Sequence, residues 1–290
     1  MYPRLSDLFR DVLGIPFPVP IYSFGVMVAV AILVGTWLGG RELDRKYAAG
    51  LIGGVEVKTE DGRTVEESPS ILVGTLAVLA GVMGIVGAKL FTILGNPGRF
   101  LLDPAGMLFS TGGLTFYGGL IVAGAAIVWY LRRYDLSVAP VADAAAPGLM
   151  LAYGIGRIGC HLAGDGDWGI PADLAAKPDW WPMWLWAETY PNAIVGPPPE
   201  PVYPTSVYEA LAATVLFGGL WALRRHPFRA GWLFSLYLVA NGVERFLIEQ
   251  IRVNPEYTLL GLTPTQAEII AVLLVIAGGV GLVWTGERKG

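Results

Sequence analysis

Residues 21–40 read IYSFGVMVAVAILVGTWLGG and contain no charged side chain. As an α-helix, a run of this length can cross the roughly 30 Å hydrocarbon core of a membrane. Six more apolar runs of similar length follow, separated by polar stretches. None alternates apolar and polar residues, so the pattern favours helices over a transmembrane barrel. The predicted spans lie at about residues 20–40, 70–95, 113–131, 141–163, 206–223, 231–251 and 266–285.

Composition supports the same fold class. Of the 290 residues, 54% are hydrophobic and only 15% are charged, whereas about 25% are charged in soluble domains. We therefore predict an all-α integral membrane protein with about seven transmembrane helices, forming a single domain over residues 1–290. The net charge of −4 and the absence of a basic tract give no sign of nucleic-acid binding. The single cysteine, Cys160, excludes an intramolecular disulfide.

The distribution of Lys and Arg predicts the orientation of the chain. Twelve basic residues fall in the loops after spans 1, 3 and 5 and at the C-terminus, and five fall in the remaining loops and at the N-terminus. Basic loops stay in the cytoplasm, so we expect a periplasmic N-terminus and a cytoplasmic C-terminus. Residues 164–205 hold five of the ten tryptophans and nine prolines, which predicts a small irregular periplasmic head at the membrane interface. The polar stretch 53–69 is expected to be a cytoplasmic loop with a hairpin turn at Asp61-Gly62.

Span 4 contains charge inside an apolar helix. Tyr153, Arg157 and His161 follow one another at steps of four and therefore share a helix face. A charge at the bilayer centre costs at least about 2.5–3.5 kcal/mol, so such residues usually face the bundle interior and act there. The alternative is that Arg157 forms an interhelical salt bridge or snorkels to the interface. Between these residues lie glycines that would let another helix or a lipid approach closely: Gly154, Gly156 and Gly159.

Span 6 carries a second charged face. Arg245, Glu249 and Arg252 form a stripe at steps of four and three. Either this stripe takes part in chemistry, or it is internally neutralised and only holds the bundle together. Glu209 in span 5 and Asp143 in span 4 are the expected counter-ions of the two arginines Arg157 and Arg245, and for both acids a structural role is favoured.

A glycine-rich segment, Gly112-Gly113-Leu114-Thr115-Phe116-Tyr117-Gly118-Gly119, opens span 3. Backbone N–H groups near a helix N-terminus suit an anionic headgroup, although such turns are often only structural. Arginine binds phosphate through a planar fork that stays charged. The residues alone thus indicate a membrane-embedded site for a phosphate-bearing lipid, in an enzyme or a transporter.

The motifs resemble, in order, those of the bacterial prolipoprotein diacylglyceryl transferase family. The resemblance extends over most of the chain and includes the R-x-x-x-E-x-x-R pattern formed by Arg245, Glu249 and Arg252. The other matching segments are IYSFG at 21–25, GAKL at 87–90, GGLTFYGG at 112–119, DAAAP at 143–147, GRIG at 156–159 and YPTSVYE at 203–209.

The resemblance implies transfer of the diacylglyceryl group of phosphatidylglycerol to the lipobox cysteine of prolipoproteins. The product would be a thioether, with release of glycerol 1-phosphate, as the first step of lipoprotein maturation in the bacterial inner membrane. It implies no cofactor and no metal. From the residues and the resemblance together, we predict the catalytic residues to be Arg157, Arg245, Tyr117, His161 and Glu249. The predicted phosphatidylglycerol-binding residues are Arg157, Arg245, Gly113, Gly118, Gly119, Tyr208, Glu209 and Arg252.

Several positions depart from the family pattern, and two of them bear on the expected proton transfer. Tyr117 stands where the family has histidine, whereas His161 follows Cys160 at the end of span 4. We hypothesise that His161 takes over part of the proton transfer and that Tyr117 orients the headgroup or the thiolate; alternatively, His161 only caps its helix. Two other functions stay open: a lipid or anion transporter, for which we see no inverted repeat, and a family member that binds lipoproteins without catalysis.

Overall fold

The computed structural model describes residues 2–15, 18–59, 61–110, 115–254 and 263–287. The chain forms two compact units. Unit 1 comprises Met1–Leu38 and Ala142–Gly290, and unit 2 comprises Gly39–Val141. Gly113 of the predicted headgroup site lies outside the described residues.

The structure is mostly helical, and its long helices coincide with the predicted apolar runs. Within the described ranges, five segments are long and apolar enough to cross a membrane, which supports a membrane protein of several spans. These segments are α2 (Ser23–Ala48), α3 (Val73–Gly95) with the 3₁₀ turn Pro69–Leu72 before it, α7 (Val138–Ala163), α9 (Thr205–Leu223) and α11 (Gln266–Thr285).

Two further helices match predicted spans 3 and 6 but are more polar. Helix α6 (Phe116–Arg133) ends in two arginines. Helix α10 (Trp232–Glu249) carries Glu244, Arg245 and Glu249 within 18 residues. Because of these charges, neither helix is among the five segments that are long and apolar enough to cross a membrane by composition.

The shorter elements fill the connections between the long helices. The predicted hairpin is confirmed: β1 (Val55–Lys58) pairs antiparallel with β2 (Thr64–Glu67), and Gly62 turns the chain with a φ of 78° that suits glycine. The sequence analysis did not predict the short helices α1 (Leu5–Leu13), α4 (Pro97–Leu102), α5 (Pro104–Phe109) and α8 (Met183–Trp186).

Glycines let several helix pairs approach backbone to backbone. In unit 2, a methyl group at Gly119 of α6 would lie 2.8 Å from the carbonyl oxygen of Gly84 in α3. In unit 1, one at Gly154 of α7 would lie 3.0 Å from Cβ of Ala213 in α9. The predicted close approach at the glycines of span 4 is therefore confirmed at this position.

Asp143 stabilises the start of α10. Its carboxylate accepts hydrogen bonds from the backbone N–H groups of Gly231 at 2.8 Å and Phe234 at 2.9 Å, and so satisfies N–H groups that a helix leaves unpaired at its N-terminus. It precedes Arg157 by about 21 Å along α7. The prediction that Asp143 neutralises one of the site arginines is therefore wrong. Arg157 lies at a distant point of the same helix, and Arg245 lies near the other end of α10 from the N-terminus that Asp143 binds.

Residues 164–205 form an irregular segment within unit 1 that contains only the short helix α8. Its backbone is tied to the end of α10, since the Ile170 N–H donates to the carbonyl oxygen of Ile251 at 2.9 Å. It is also tied to α9, since the Tyr208 hydroxyl donates to the carbonyl oxygen of Leu185 at 2.8 Å. These bonds fix the segment beside the charged ends of both helices.

Candidate functional site

Glu209 is the centre of a buried charge cluster in unit 1. It lies in the first turns of α9 and its side chain is fully buried. Its Oε2 is 2.8 Å from Arg157 Nε, and its Oε1 is 3.0 Å from Arg245 Nη1 and 3.4 Å from Arg252 Nη1. The prediction that Glu209 is a counter-ion of the two arginines is confirmed, and Arg252 joins them.

Asp167 adds a second carboxylate between two of these arginines. Its Oδ2 accepts a hydrogen bond from Arg157 Nη1, and its Oδ1 accepts one from Arg252 Nη2 at 2.5 Å. Burial alone would raise the pKa of Asp167, but the charges of Arg252 and Arg157 outweigh it and hold that pKa below its ordinary value. Asp167 is therefore ionised at neutral pH.

Glu249 completes the cluster at the end of α10. Its Oε2 is 2.8 Å from Arg245 Nη2, and its Oε1 accepts hydrogen bonds from Asn254 Nδ2 and Thr265 Oγ1, both at 2.7 Å. With its oxygens held in this way, Glu249 fixes the direction of Arg245. The arrangement fits a positioning residue, in the sense of a group that acts through its neighbour.

We call these six side chains the arginine–carboxylate network. It contains three cations and three anions, so its formal charge is zero. Each arginine presents several N–H groups, and five of the six side chains are at most one-fifth exposed. Binding of a further anion to such a buried, neutral cluster would leave an uncompensated buried charge, which is costly. Its members are Arg157, Asp167, Glu209, Arg245, Glu249 and Arg252.

Tyr153 borders the network from α7. The Arg157 guanidinium lies over its ring at 5.3 Å from the centroid, and its hydroxyl donates to Glu244 Oε2 at 3.3 Å. The predicted pairing of Tyr153 with Arg157 on one helix face is confirmed.

His161 turns toward the 164–205 segment. Its Nδ1 is 3.1 Å from the Tyr190 hydroxyl, and the two rings meet edge to face. Tyr190 in turn packs on Trp168. Within the part of the chain that the structure describes, no hydrogen bond or ion pair joins His161 to the network, although it follows Arg157 by one turn.

The described residues of the glycine-rich motif, 115–119, lie in unit 2. Tyr117 is half-buried in the first turn of α6. Gly118 and Gly119 face α3, where the backbones of Gly87 and Gly84 approach them closely. Both glycines thus have a packing reason to lack a side chain, whatever else they do.

Two apolar cavities flank Tyr208 in unit 1. One, of about 630 Å³, lies between α9 and α10 and includes Leu216 and Leu247. The other, of about 690 Å³, lies under the irregular segment and includes Trp181 and Trp186. Volumes of this size are typical of small-ligand sites, and their apolar linings suit hydrocarbon.

The only group of potential metal ligands in the described ranges is formed by Cys160, Asp165 and Asp167, whose ligand atoms lie within 4.8 Å of one another. Both oxygens of Asp167 already accept hydrogen bonds from arginines. Two adjacent guanidinium groups would also repel a cation. These residues therefore do not fit a metal site.

The sequence analysis missed Asp167. A partial signal was present in the sequence, because the two acids of Gly164-Asp165-Gly166-Asp167 directly follow a helix that carries Arg157. In the structure both glycines have positive φ, 60° and 97°. A carboxylate on such a turn can fold back onto the arginine, but spacing alone does not say which acid does so.

The fold and the site define a helical membrane protein with a buried arginine–carboxylate network. Comparison with known proteins identifies one family within this class of membrane proteins. The chain belongs to the prolipoprotein diacylglyceryl transferase family, whose model matches residues 11–284. The resemblance found in the motifs is thereby confirmed.

Individual relatives carry the name phosphatidylglycerol–prolipoprotein diacylglyceryl transferase. The one from Vibrio cholerae serotype O1 is 32% identical over 278 residues, covering 93% of this chain and 89% of that protein. The one from Aeromonas salmonicida is 32% identical over 282 residues, covering 94% and 88%. The one from Corynebacterium efficiens is 28% identical over 273 residues, covering 90% and 76%.

Proposed function

We propose that this protein transfers the diacylglyceryl group of phosphatidylglycerol to a prolipoprotein. The acceptor is the thiol of the lipobox cysteine. Its sulfur attacks the glyceryl carbon that is esterified to phosphate, a carbon–sulfur bond forms and the carbon–oxygen bond breaks. The bonding electrons leave with glycerol 1-phosphate, and the thiol proton passes to a base. The proposal rests on one observation: three buried arginines cluster in a member of the prolipoprotein diacylglyceryl transferase family.

The arginines serve the phosphate. Negative charge grows on the leaving phosphate as the carbon–oxygen bond breaks, and fixed guanidinium groups stabilise that charge. We assign this role to Arg157 and Arg245, with Arg252 and Glu209 in the binding site and Glu249 orienting Arg245. The remaining proposed contacts of the lipid are Gly113, Gly118, Gly119 and Tyr208, with the two cavities beside Tyr208 as candidate sites for acyl chains.

The thiol needs a base because its ordinary pKa is near 8.5. We propose His161 for part of this proton transfer and Tyr117 for orienting the headgroup or thiolate. Since His161 Nδ1 meets the Tyr190 hydroxyl, the proton would be taken by Nε2.

We further propose the membrane arrangement. Helices α6 and α10 cross the membrane together with the five more apolar segments, which gives seven spans in a single domain over residues 1–290. The N-terminus and the 164–205 head are periplasmic, the C-terminus is cytoplasmic, and the membrane is the bacterial inner membrane. This arrangement supplies phosphatidylglycerol from the surrounding membrane lipids and lipobox signal peptides from the periplasmic side.

The direct test uses the purified full chain with phosphatidylglycerol vesicles and a lipobox peptide. We expect a peptide whose mass has increased by one diacylglyceryl group, together with an equal amount of glycerol 1-phosphate. A peptide with serine in place of the cysteine is the control and should stay unmodified. Binding of the cysteine peptide without any thioether product would instead identify a non-catalytic member of the family.

A further inference from the structure

We propose that Asp167 is an internal substitute for the lipid phosphate. It occupies the Arg157–Arg252 pair in the protein without substrate and gives way when the phosphodiester of phosphatidylglycerol binds. This inference rests on the proposed function and deepens it, because it identifies the Arg157–Arg252 pair as the place where the incoming phosphodiester displaces a carboxylate, next to Arg245. It also makes affinity for the lipid depend on an acid that the reaction itself does not need.

Charge balance is the first argument. Among the six members of the network, loss of Asp167 would leave three arginines against Glu209 and Glu249, an excess of one positive charge. The neighbouring Glu244 accepts a hydrogen bond from the Tyr153 hydroxyl and is not counted among the members. Asp167 cancels this excess, and a phosphodiester, which carries one negative charge, would cancel it equally well. Exchange of one anion for the other therefore keeps a buried cluster neutral, and neutrality is what a buried cluster requires.

Geometry is the second argument. The two oxygens of Asp167 are shared between Arg157 and Arg252, which come from different elements. The two non-bridging oxygens of a phosphodiester are a similar pair of acceptors on one atom, and arginine binds both kinds of group in the same way. Glu209 cannot be exchanged so easily, because it is fully buried and meets all three arginines.

Exposure is the third argument. The Asp167 side chain is 34% exposed, whereas those of Glu209 and Glu249 are 0% exposed. Its backbone stays anchored, because Thr205 Oγ1 donates to the Asp167 carbonyl oxygen at 3.0 Å. Asp167 can therefore leave the arginines by rotating its side chain toward solvent, and the fold around it does not have to open.

The test compares neutral and charged replacements in the full-length protein, reconstituted in phosphatidylcholine nanodiscs that lack anionic lipid. Binding of glycerol 1-phosphate is measured directly, and KM for added phosphatidylglycerol is measured with a lipobox peptide. The variants are Asp167→Asn, Asp167→Ser and Asp167→Glu. The matched control is Asp179→Asn, which changes an exposed acid in the same segment.

Removal of the competing charge should lower the dissociation constant of glycerol 1-phosphate by about fivefold or more, because the binding-competent state becomes the major one. KM for phosphatidylglycerol should fall by a similar factor in Asp167→Asn. Any rise in kcat should be smaller than the fall in KM. Asp179→Asn should behave as the unaltered protein does, and Asp167→Glu, which keeps the competing charge, should not bind glycerol 1-phosphate more tightly. A structural role of Asp167 would not tighten binding.

Unchanged or weaker binding in the neutral variants would overturn the inference, and so would failure of both neutral variants to fold, since Asp167 could then not leave its place. If the unaltered protein forms no thioether but Asp167→Asn still binds glycerol 1-phosphate more tightly, the inference stands and the proposed transferase activity fails. An active enzyme whose anion binding ignores Asp167 overturns the inference alone.

Discussion

Arg157 uses its guanidinium in a way that lysine cannot copy, because Nε meets Glu209 while Nη1 meets Asp167. Arg245 likewise joins Glu209 to Glu249. We expect Arg157→Lys and Arg245→Lys to lower kcat/KM by about tenfold or more, which corresponds to about 1.4 kcal/mol of lost transition-state stabilisation. Kinetics with the lipobox peptide measure this loss, and membrane insertion should be unaffected.

The control for these substitutions is Arg133→Lys, since Arg133 is an exposed arginine at the end of α6. It should retain normal turnover. If Arg157→Lys and Arg245→Lys also turn over normally, the two arginines only hold helices together and do not bind phosphate.

His161 allows a prediction about pH. A histidine base must be neutral to accept a proton, so the rate should rise as pH increases through its pKa, which is near 6.5 for an unperturbed histidine. His161→Gln should lower the rate and remove this rise between about pH 5.5 and about pH 9. Tyr117→Phe should lower the rate without changing the profile.

Unchanged rate and profile in His161→Gln would eliminate histidine as the base. If Tyr117→Phe is equally unaffected, the base lies in neither residue, and Glu249 and Asp165 are the next carboxylates to test.

At the scale of elements, the α10–α11 pair depends on a glycine contact that can be tested with a neighbouring control. A methyl group at Gly278 would lie 2.6 Å from the carbonyl oxygen of Ser235, whereas one at Gly279 would meet nothing within 4 Å. Gly278→Ala should therefore destabilise the protein by about 1–3 kcal/mol through overpacking. Gly279→Ala should be neutral or slightly stabilising, because alanine favours helix.

Thermal unfolding of the two variants in the same detergent measures the difference. This contact bears on the site, because α10 carries Arg245 and Glu249, and Thr265 before α11 binds Glu249. Equal melting temperatures for the two variants would mean that the helices can separate slightly without cost, and that their close packing does not stabilise the site.

At the scale of the whole molecule, the excess of basic residues on one side predicts the topology. A reporter fused after Gly290 should be active in the cytoplasm, and a tag inserted near Pro198 should be accessible from the periplasm. Protease protection in spheroplasts measures both. A periplasmic C-terminus would contradict the orientation and would move the proposed phosphate site to the opposite leaflet.

The long helices and the family could be read from the order of the residues. An apolar run is a feature of consecutive residues, and its length shows whether the segment can span a membrane. The positions of the long helices could therefore be predicted from the lengths of these runs. The charged face of span 6 and the placement of Glu209 followed from helical spacing and from the cost of burying a charge without a partner. The hairpin at 55–67 followed from its turn residues.

The ion pairs, in contrast, depend on how the helices pack against one another. Asp143 and Glu209 are both single acids in apolar helices, yet one caps α10 and the other joins three arginines, because their heights along the bundle differ. Asp167 entered the network from an irregular segment whose path no periodicity encodes. Spacing places side chains on a face of one helix, but ion pairs between helices depend on rotation, depth and loop path, which packing sets for the whole chain at once.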